Sequence, residues 1–195
     1  MIKIHLILGA VWVLYCFFHS FLAHSKVKTA LMAGLHMRPS QYRILYNVFA
    51  LVTLIAILLF HIRTNSTQLF TTNLLSKVMA VAFTLSGLGV MLVCIVKYFK
   101  QLSGLFKESR HSYLQTGGLH RWVRHPLYAG TFLFLIGLVL YWTLYSNALA
   151  VLIVIVYTVA GTWLEEKKLV EEFGDEYRQY QRRVPMLLPG FGNRK

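Results

Sequence analysis

Apolar positions gather into five long runs, at about Ile4–Ala23, Ile44–Ile62, Val78–Tyr98, Leu127–Trp142 and Asn147–Leu164. Helices of roughly 20 apolar residues are what a hydrocarbon core of about 30 Å requires. Backbone inside lipid must satisfy its own hydrogen bonds, and long apolar runs do so as helices rather than as a barrel. The pattern predicts an all-α integral membrane bundle of about five transmembrane helices. The runs take up about half of the chain, which leaves no room for a separate soluble domain. We read residues 1–195 as a single membrane domain, with an N-terminal three-helix part (1–99) and a C-terminal part (100–195). The first run is broken by His5, His19 and Ser20, and no small-x-small cleavage site follows it. It reads as a retained helix rather than a secretory leader.

The polar segments carry their own signals. Gly34 and Pro39 predict a turn between the first two spans, with Ser40 placed to cap the second. The segment Arg63–Lys77 is rich in Thr, Asn and Ser and contains the sequon Asn65-Ser66-Thr67. The stretch from Lys100 to His125 is the longest polar one and holds Gly104, Gly117 and Gly118. Pro126 then opens the fourth span, where a missing N–H costs nothing and the neighbouring amides stay free for an anion. Beyond Leu164 the chain continues as a helix outside the membrane. Leu169, Phe173, Tyr177 and Tyr180 share one face, interrupted at Gly174. Pro185 and Pro189 end it.

Composition agrees and charge refines the picture. Only 14% of residues are charged, against about 25% in soluble domains, and the mean hydropathy is +0.55. The net charge of +13 invites a nucleic-acid reading, but the positions argue against it. Seventeen of the twenty Lys and Arg residues follow the first, third and fifth runs; the exceptions are Lys3, Arg63 and Lys77. The positive-inside rule then places the C-terminus in the cytoplasm and the N-terminus outside. The excess suits anionic headgroups, so membrane lipids are expected partners and nucleic acid is not. Six of the seven acidic residues fall between Glu165 and Glu176. Cys16 and Cys94 lie inside spans in no metal-binding pattern, and no metal ligand set is expected.

Three segments therefore converge on one membrane face: Gly117 to Gly130, Glu165 to Tyr180, and Arg182 to Pro189. The first contains Gly118-Leu119-His120-Arg121-Trp122-Val123-Arg124-His125-Pro126-Leu127-Tyr128-Ala129-Gly130. It resembles the RHPxYxG signature of isoprenylcysteine carboxyl methyltransferases. After a two-helix hairpin come Glu165-Glu166, Leu169, Phe173-Gly174, Tyr177, Tyr180, Val184-Pro185 and Pro189, which look like the family's second signature. The resemblance covers Gly117–Pro189. His19-Ser20 and Tyr42-Arg43 are similar to bacterial membrane proteins linked to denitrification or to thiol methylation. Where eukaryotic members carry a basic residue before the paired glutamates, Tyr157–Thr162 here offers none.

The resemblance implies S-adenosyl-L-methionine as the methyl donor, bound at the cytoplasmic face, and a lipidic or small thiol or carboxylate substrate. It implies cofactor contacts from Gly118, Leu119, His125, Tyr128, Glu165, Glu166, Leu169, Tyr177 and Tyr180. His125 and the adjacent amides suit a carboxylate or ribose hydroxyls. Tyr128 suits a sulfonium, and Glu165 or Glu166 suits an ammonium or ribose. Leu119, Trp122 and Leu169 suit adenine, with Tyr177 and Tyr180 closing the pocket, although Trp122 reads more readily as an interfacial belt residue and Tyr177 and Tyr180 equally as packing residues. Catalytic roles fall to Glu165 and to Arg124 or Arg183, which would orient an anionic acceptor. Two other readings stay open: a nicotinamide-dependent reductase related to sterol reductases, and a haem-binding membrane protein using His5 and His19. Glu165-Glu166 weighs against the reductase, since carboxylates repel a phosphate-rich cofactor.

Overall fold

A computed structural model describes residues 2–103 and 114–190. Gly104, Lys107, Glu108, Arg110, Arg194 and Lys195 lie outside the described residues, as does the side chain of Lys100. The described residues form α1 (Ile2–Ala23), α2 (Ser25–Gly34), α3 (Pro39–Arg63), α4 (Leu74–Ser103), α5 (Pro126–Tyr141), α6 (Tyr145–Phe173) and α7 (Asp175–Arg183). A 3-10 turn at Gly118–Arg121 precedes α5, and no strand longer than an isolated bridge occurs among them. Four helices, α1, α3, α4 and α6, are long and apolar enough to cross a membrane. The fifth apolar run forms α5, which has 16 residues and is about 24 Å long at 1.5 Å per residue. The chain is an all-α integral membrane protein.

Two starts differ from the sequence expectation. The chain between the first two spans is not a simple turn: ten residues of it form α2. Ser40 does not cap α3, which begins one residue earlier at Pro39. There the Gln41 side chain accepts the Arg38 backbone N–H at 2.8 Å. Pro39 takes the first helical position because its absent N–H needs no acceptor there.

The structure divides into two units. One comprises residues 1–71 and 143–154. Its core is Leu8, Trp12, Ile57 and Ala150. Polar groups inside it are paired. The Trp12 indole donates to His61 Nδ1 at 3.3 Å, and His61 Nε2 meets Asn147 Oδ1 at 2.8 Å. The segment before α4 caps α6: the Tyr145 amide donates to the Thr67 carbonyl at 3.0 Å and the Ser146 amide to Ser66 Oγ at 2.9 Å. His5 Nε2 lies 3.1 Å from the same Ser66 hydroxyl, while His19 contacts Tyr46.

The other unit comprises residues 72–142 and 155–195. Asn73 and Ser76 cap α4 reciprocally, at 2.8 and 3.0 Å. α4 and α5 pack with their backbones close. A Cβ on Gly87 would sit 2.6 Å from the Gly130 carbonyl, and one on Gly137 would sit 2.7 Å from the Thr84 amide. Small residues permit this approach between helices in lipid. α6 ends where Gly174 takes φ +57, a conformation L side chains rarely adopt. α7 then starts in a new direction.

Candidate functional site

The polar signatures meet in the second unit, where α5 begins and α6 runs into α7. His125 is the residue before α5 and its ring is buried. It lies between two adjacent carboxylates of α6, Glu165 and Glu166. Nε2 is 3.2 Å from Glu166 Oε1 and Nδ1 is 3.9 Å from Glu165 Oε2. Tyr128, one turn into α5, stacks on the His125 ring at 5.7 Å and 16°. Its hydroxyl donates to Glu165 Oε2 at 3.1 Å.

Glu165 and Glu166 are neighbours in sequence with different surroundings. Consecutive helical residues point about 100° apart, so one turns inward and the other outward. Glu166 is the inward one, with its side chain 12% exposed against 46% for Glu165. Oε1 of Glu166 receives Arg124 Nε at 2.6 Å, His125 and the Tyr177 hydroxyl at 3.3 Å. Oε2 receives Arg124 Nη2 at 3.0 Å and the Gln181 amide at 3.0 Å. A carboxylate offers about four lone-pair sites, so the chain's own donors saturate Glu166. Glu165 is the carboxylate with capacity left for a ligand.

Arg124 is held just as firmly. Its side chain is 10% exposed. Besides the fork to Glu166, Nη1 donates to the carbonyls of Gln181 at 3.2 Å and Val184 at 2.5 Å. The backbone continues the attachment: the Arg124 and His125 amides donate to the Pro185 and Met186 carbonyls at 2.9 and 3.1 Å. The segment Val184–Met186 is thereby strapped to the start of α5. α7 supplies the remaining support. Tyr177 and Tyr180 are buried, and the Tyr180 hydroxyl donates to the His120 carbonyl at 2.6 Å, fixing the 3-10 turn. Burial, and after it the Glu166 carboxylate, pushes the Tyr177 hydroxyl above its ordinary range, so it remains a donor. Burial first, and then the neighbouring His125 and Lys97 side chains, push the His120 ring below its ordinary range.

The sequence-predicted residues therefore separate by place. His125, Tyr128, Glu165 and Glu166 come together, with Arg124 behind them. Tyr177 and Tyr180 lie under the cluster, turned to Glu166 and His120. Gly118 is exposed at φ +63, leaving its backbone open to close approach. Leu119 and Leu169 are half-buried. Arg183 stands apart: it is exposed, and its Nε donates to the Gln179 carbonyl of its own helix at 3.3 Å. Sequence reasoning missed Gln181 and the carbonyls of Val184, Pro185 and Met186. Backbone acceptors leave no trace in residue type. A glutamine four residues after the buried Tyr177, on the same helical face, was the one available signal.

Residues 72–176 match the phospholipid methyltransferase family. The chain belongs to that family. The matched segment takes in His125, Tyr128, Glu165 and Glu166, and it ends just before Tyr177, Gln181 and the strap. Among relatives, a methanethiol S-methyltransferase of Crocosphaera subtropica is 30% identical over 137 residues, covering 63% of this chain and 51% of its own length. Methanethiol S-methyltransferase 1 of Bradyrhizobium diazoefficiens is 37% identical over 87 residues, covering 43% of this chain and 28% of its own. The protein-S-isoprenylcysteine O-methyltransferase of Schizosaccharomyces pombe is 34% identical over 84 residues, covering 43% and 36%. The chain thus spans about half or less of the relatives it matches. No solved structure matches it. These matches bear out the likeness to isoprenylcysteine carboxyl methyltransferases and add relatives named for a small thiol.

A zwitterionic nucleoside donor fits the groups this family member presents. Glu165 and the Tyr128 hydroxyl suit an ammonium or ribose. Pro126 has no N–H, and the first helical donor to the His125 carbonyl is the Ala129 amide. The Leu127 and Tyr128 amides at this helix start suit a carboxylate. Trp122, 53% exposed, offers a flat apolar face to adenine.

Proposed function

We propose that the protein is a membrane methyltransferase that takes a methyl group from S-adenosyl-L-methionine and passes it to a thiol or carboxylate of a small or lipidic acceptor. The observation that carries this reading is Glu165, the more exposed of the paired carboxylates, beside Tyr128 and His125 inside the segment matching a methyltransferase family. The matched relatives are named for a thiol and for a prenylated cysteine, which favours methyl transfer over a nicotinamide reductase or a haem carrier.

The bound donor supplies an electrophilic methyl on a sulfonium. The chain's own residues do the rest. Glu165 and Tyr128 hold the cationic end, and the α5 amides hold the anionic end. Leu119, Leu169 and Trp122 shield the base. Glu166 and Arg124 work behind this surface, keeping His125 and the α5 start fixed. Of Arg124 and Arg183, it is the exposed Arg183 that is open to an anionic acceptor. An ionised thiolate or carboxylate needs no strong base, so rate enhancement comes from alignment and from stripping water from the nucleophile. In a bacterial inner membrane the C-terminus and this site face the cytoplasm and the N-terminus faces outward, as the loop charges require.

Purified protein incubated with tritiated-methyl donor, and in turn with methanethiol and an S-prenylated cysteine, tests the reading. Label in a thioether or a methyl ester is the expected product. No transfer to either acceptor, together with NADPH binding and no S-adenosylhomocysteine binding, overturns it.

A further inference from the structure

The geometry assigns to Gln181 the role of positioning residue for donor binding, acting through Glu166; this rests on the methyltransferase reading above. Gln181 grips both members of the buried ion pair. Its side-chain amide donates to Glu166 Oε2 at 3.0 Å, and its carbonyl accepts from Arg124 Nη1 at 3.2 Å. With the Arg124–Glu166 contact at 2.6 Å, three residues form a closed ring. One of its corners, Glu166, touches the His125 ring, and that ring carries Tyr128 and approaches Glu165. A chain of direct contacts thus runs from α7 to the ligand-facing carboxylate.

The residue type at this corner matters. Glu166 and Arg124 cancel each other's charge, so the fifth donor to Glu166 must bring an N–H without adding charge. A glutamine amide does so. An apolar residue would leave Glu166 Oε2 one donor short, and a carboxylate would set two anions against each other. Position 181 is also where α7 hands over to the strap, three residues before Val184. A slack ring therefore loosens the His125 amide from Met186 as well as its ring from Glu166. Neither carbon of the donor nor the acceptor need touch Gln181 for its loss to be felt.

The groups facing position 181 are Glu166, Arg124 and, one contact further, His125 and Tyr177. In Gln181→Glu the new carboxylate is repelled by Glu166 when both are ionised. On acidification one of them keeps a proton, and its O–H replaces the lost amide donor. The defect is then reversible by pH, which simple misfolding is not.

The experiment measures S-adenosylhomocysteine affinity by calorimetry in detergent between pH 5.5 and 8, alongside thermal melting. Each variant is compared with the wild type at the same pH. Gln181→Leu should bind about tenfold more weakly at every pH, the loss expected when a charged group forfeits a hydrogen bond. Gln181→Glu should bind about tenfold more weakly at pH 8 and recover toward wild type at pH 5.5. Gln179→Leu, on the exposed side of α7, should match wild type. Wild-type affinity in both Gln181 variants at pH 8, with wild-type binding intact, overturns the inference and leaves the methyltransferase reading standing. A pH-independent loss in Gln181→Glu also overturns it. Failure of the wild-type protein to bind S-adenosylhomocysteine sinks the methyltransferase reading itself.

Discussion

At the scale of single residues, the adjacent glutamates carry different work, and substitution should separate them. Glu165→Gln removes an exposed charge whose close partners among the described residues are Tyr128 and His125. It is expected to weaken S-adenosylhomocysteine binding by at least tenfold in calorimetry while leaving the melting temperature unchanged. Glu166→Gln strands the Arg124 guanidinium, 10% exposed, without its counter-charge. Loss of one partner of a buried pair costs about 3 kcal/mol, so unfolding should move to markedly lower temperature whether or not ligand is present. Equal effects of the two on stability would refute the division. Tyr177 gives a pH test. Its folded-state pKa is raised, first by burial and then by Glu166, above the ordinary tyrosine value near ~10. A raised folded pKa adds stability that is fully present below the unfolded value and is lost as pH rises through the folded one. The protein should hold its stability up to about pH 10 and then lose it. Tyr177→Phe should be less stable at neutral pH and show a smaller alkaline loss than the wild type, as melts across pH 8 to 12 would show.

At the scale of elements, glycines set how closely α4 and α5 approach. Gly137→Ala would place its Cβ 2.7 Å from the Thr84 amide and 2.8 Å from the Ala80 carbonyl. Backbone cannot yield as a flexible side chain does, and such overpacking costs about 1–3 kcal/mol. Gly89→Ala, on α4, meets nothing within 4 Å and should leave stability unchanged or slightly raised. Denaturation in mixed micelles compares the two; equal midpoints would show that α4 and α5 do not pack this closely. Which elements exist was readable from the chain, because a lipid span demands an unbroken apolar run and α1, α3, α4 and α6 supply one. The break at Gly174 and the stop at Pro185 were readable too, since each rests on the conformational limits of one residue type. The nearness of His125 to Glu165 followed from two signatures separated by one helical hairpin. The inward turn of Glu166 was not readable: two like residues side by side differ only once the helix has a neighbour. α2 escaped notice because the ten residues Ser25–Gly34 are too few and too polar to stand out as an apolar run, and none of them is buried. The strap escaped because carbonyls of Val184, Pro185 and Met186 form it, and every residue has a carbonyl.

At the scale of the whole molecule, charge decides which way the chain crosses the bilayer. Lys and Arg near the ends of spans resist translocation, and seventeen of twenty such residues lie on one predicted side. The last third of α6 and helix α7 carry Lys167, Lys168, Arg178, Arg182 and Arg183, in the same segment as Glu165. A donor made in the cytosol can reach Glu165 only if this side is cytoplasmic, so orientation and function stand together. The native cysteines help the test: Cys16 is 6% exposed and Cys94 1%, and both are interior to spans, so background labelling should be low. Lys168→Cys and Arg182→Cys, both at exposed positions, should react with a membrane-impermeant maleimide in inverted inner-membrane vesicles and stay unlabelled in intact spheroplasts. Lys3→Cys, near the exposed start of α1, should give the reverse. If Arg182→Cys is labelled from outside the cell, the basic surface and the site beside it face away from the cytosolic donor. The assignment of Glu165 as the donor's carboxylate then fails along with the topology, because no helix in this fold can carry that residue to the other leaflet while Glu166 stays paired with Arg124.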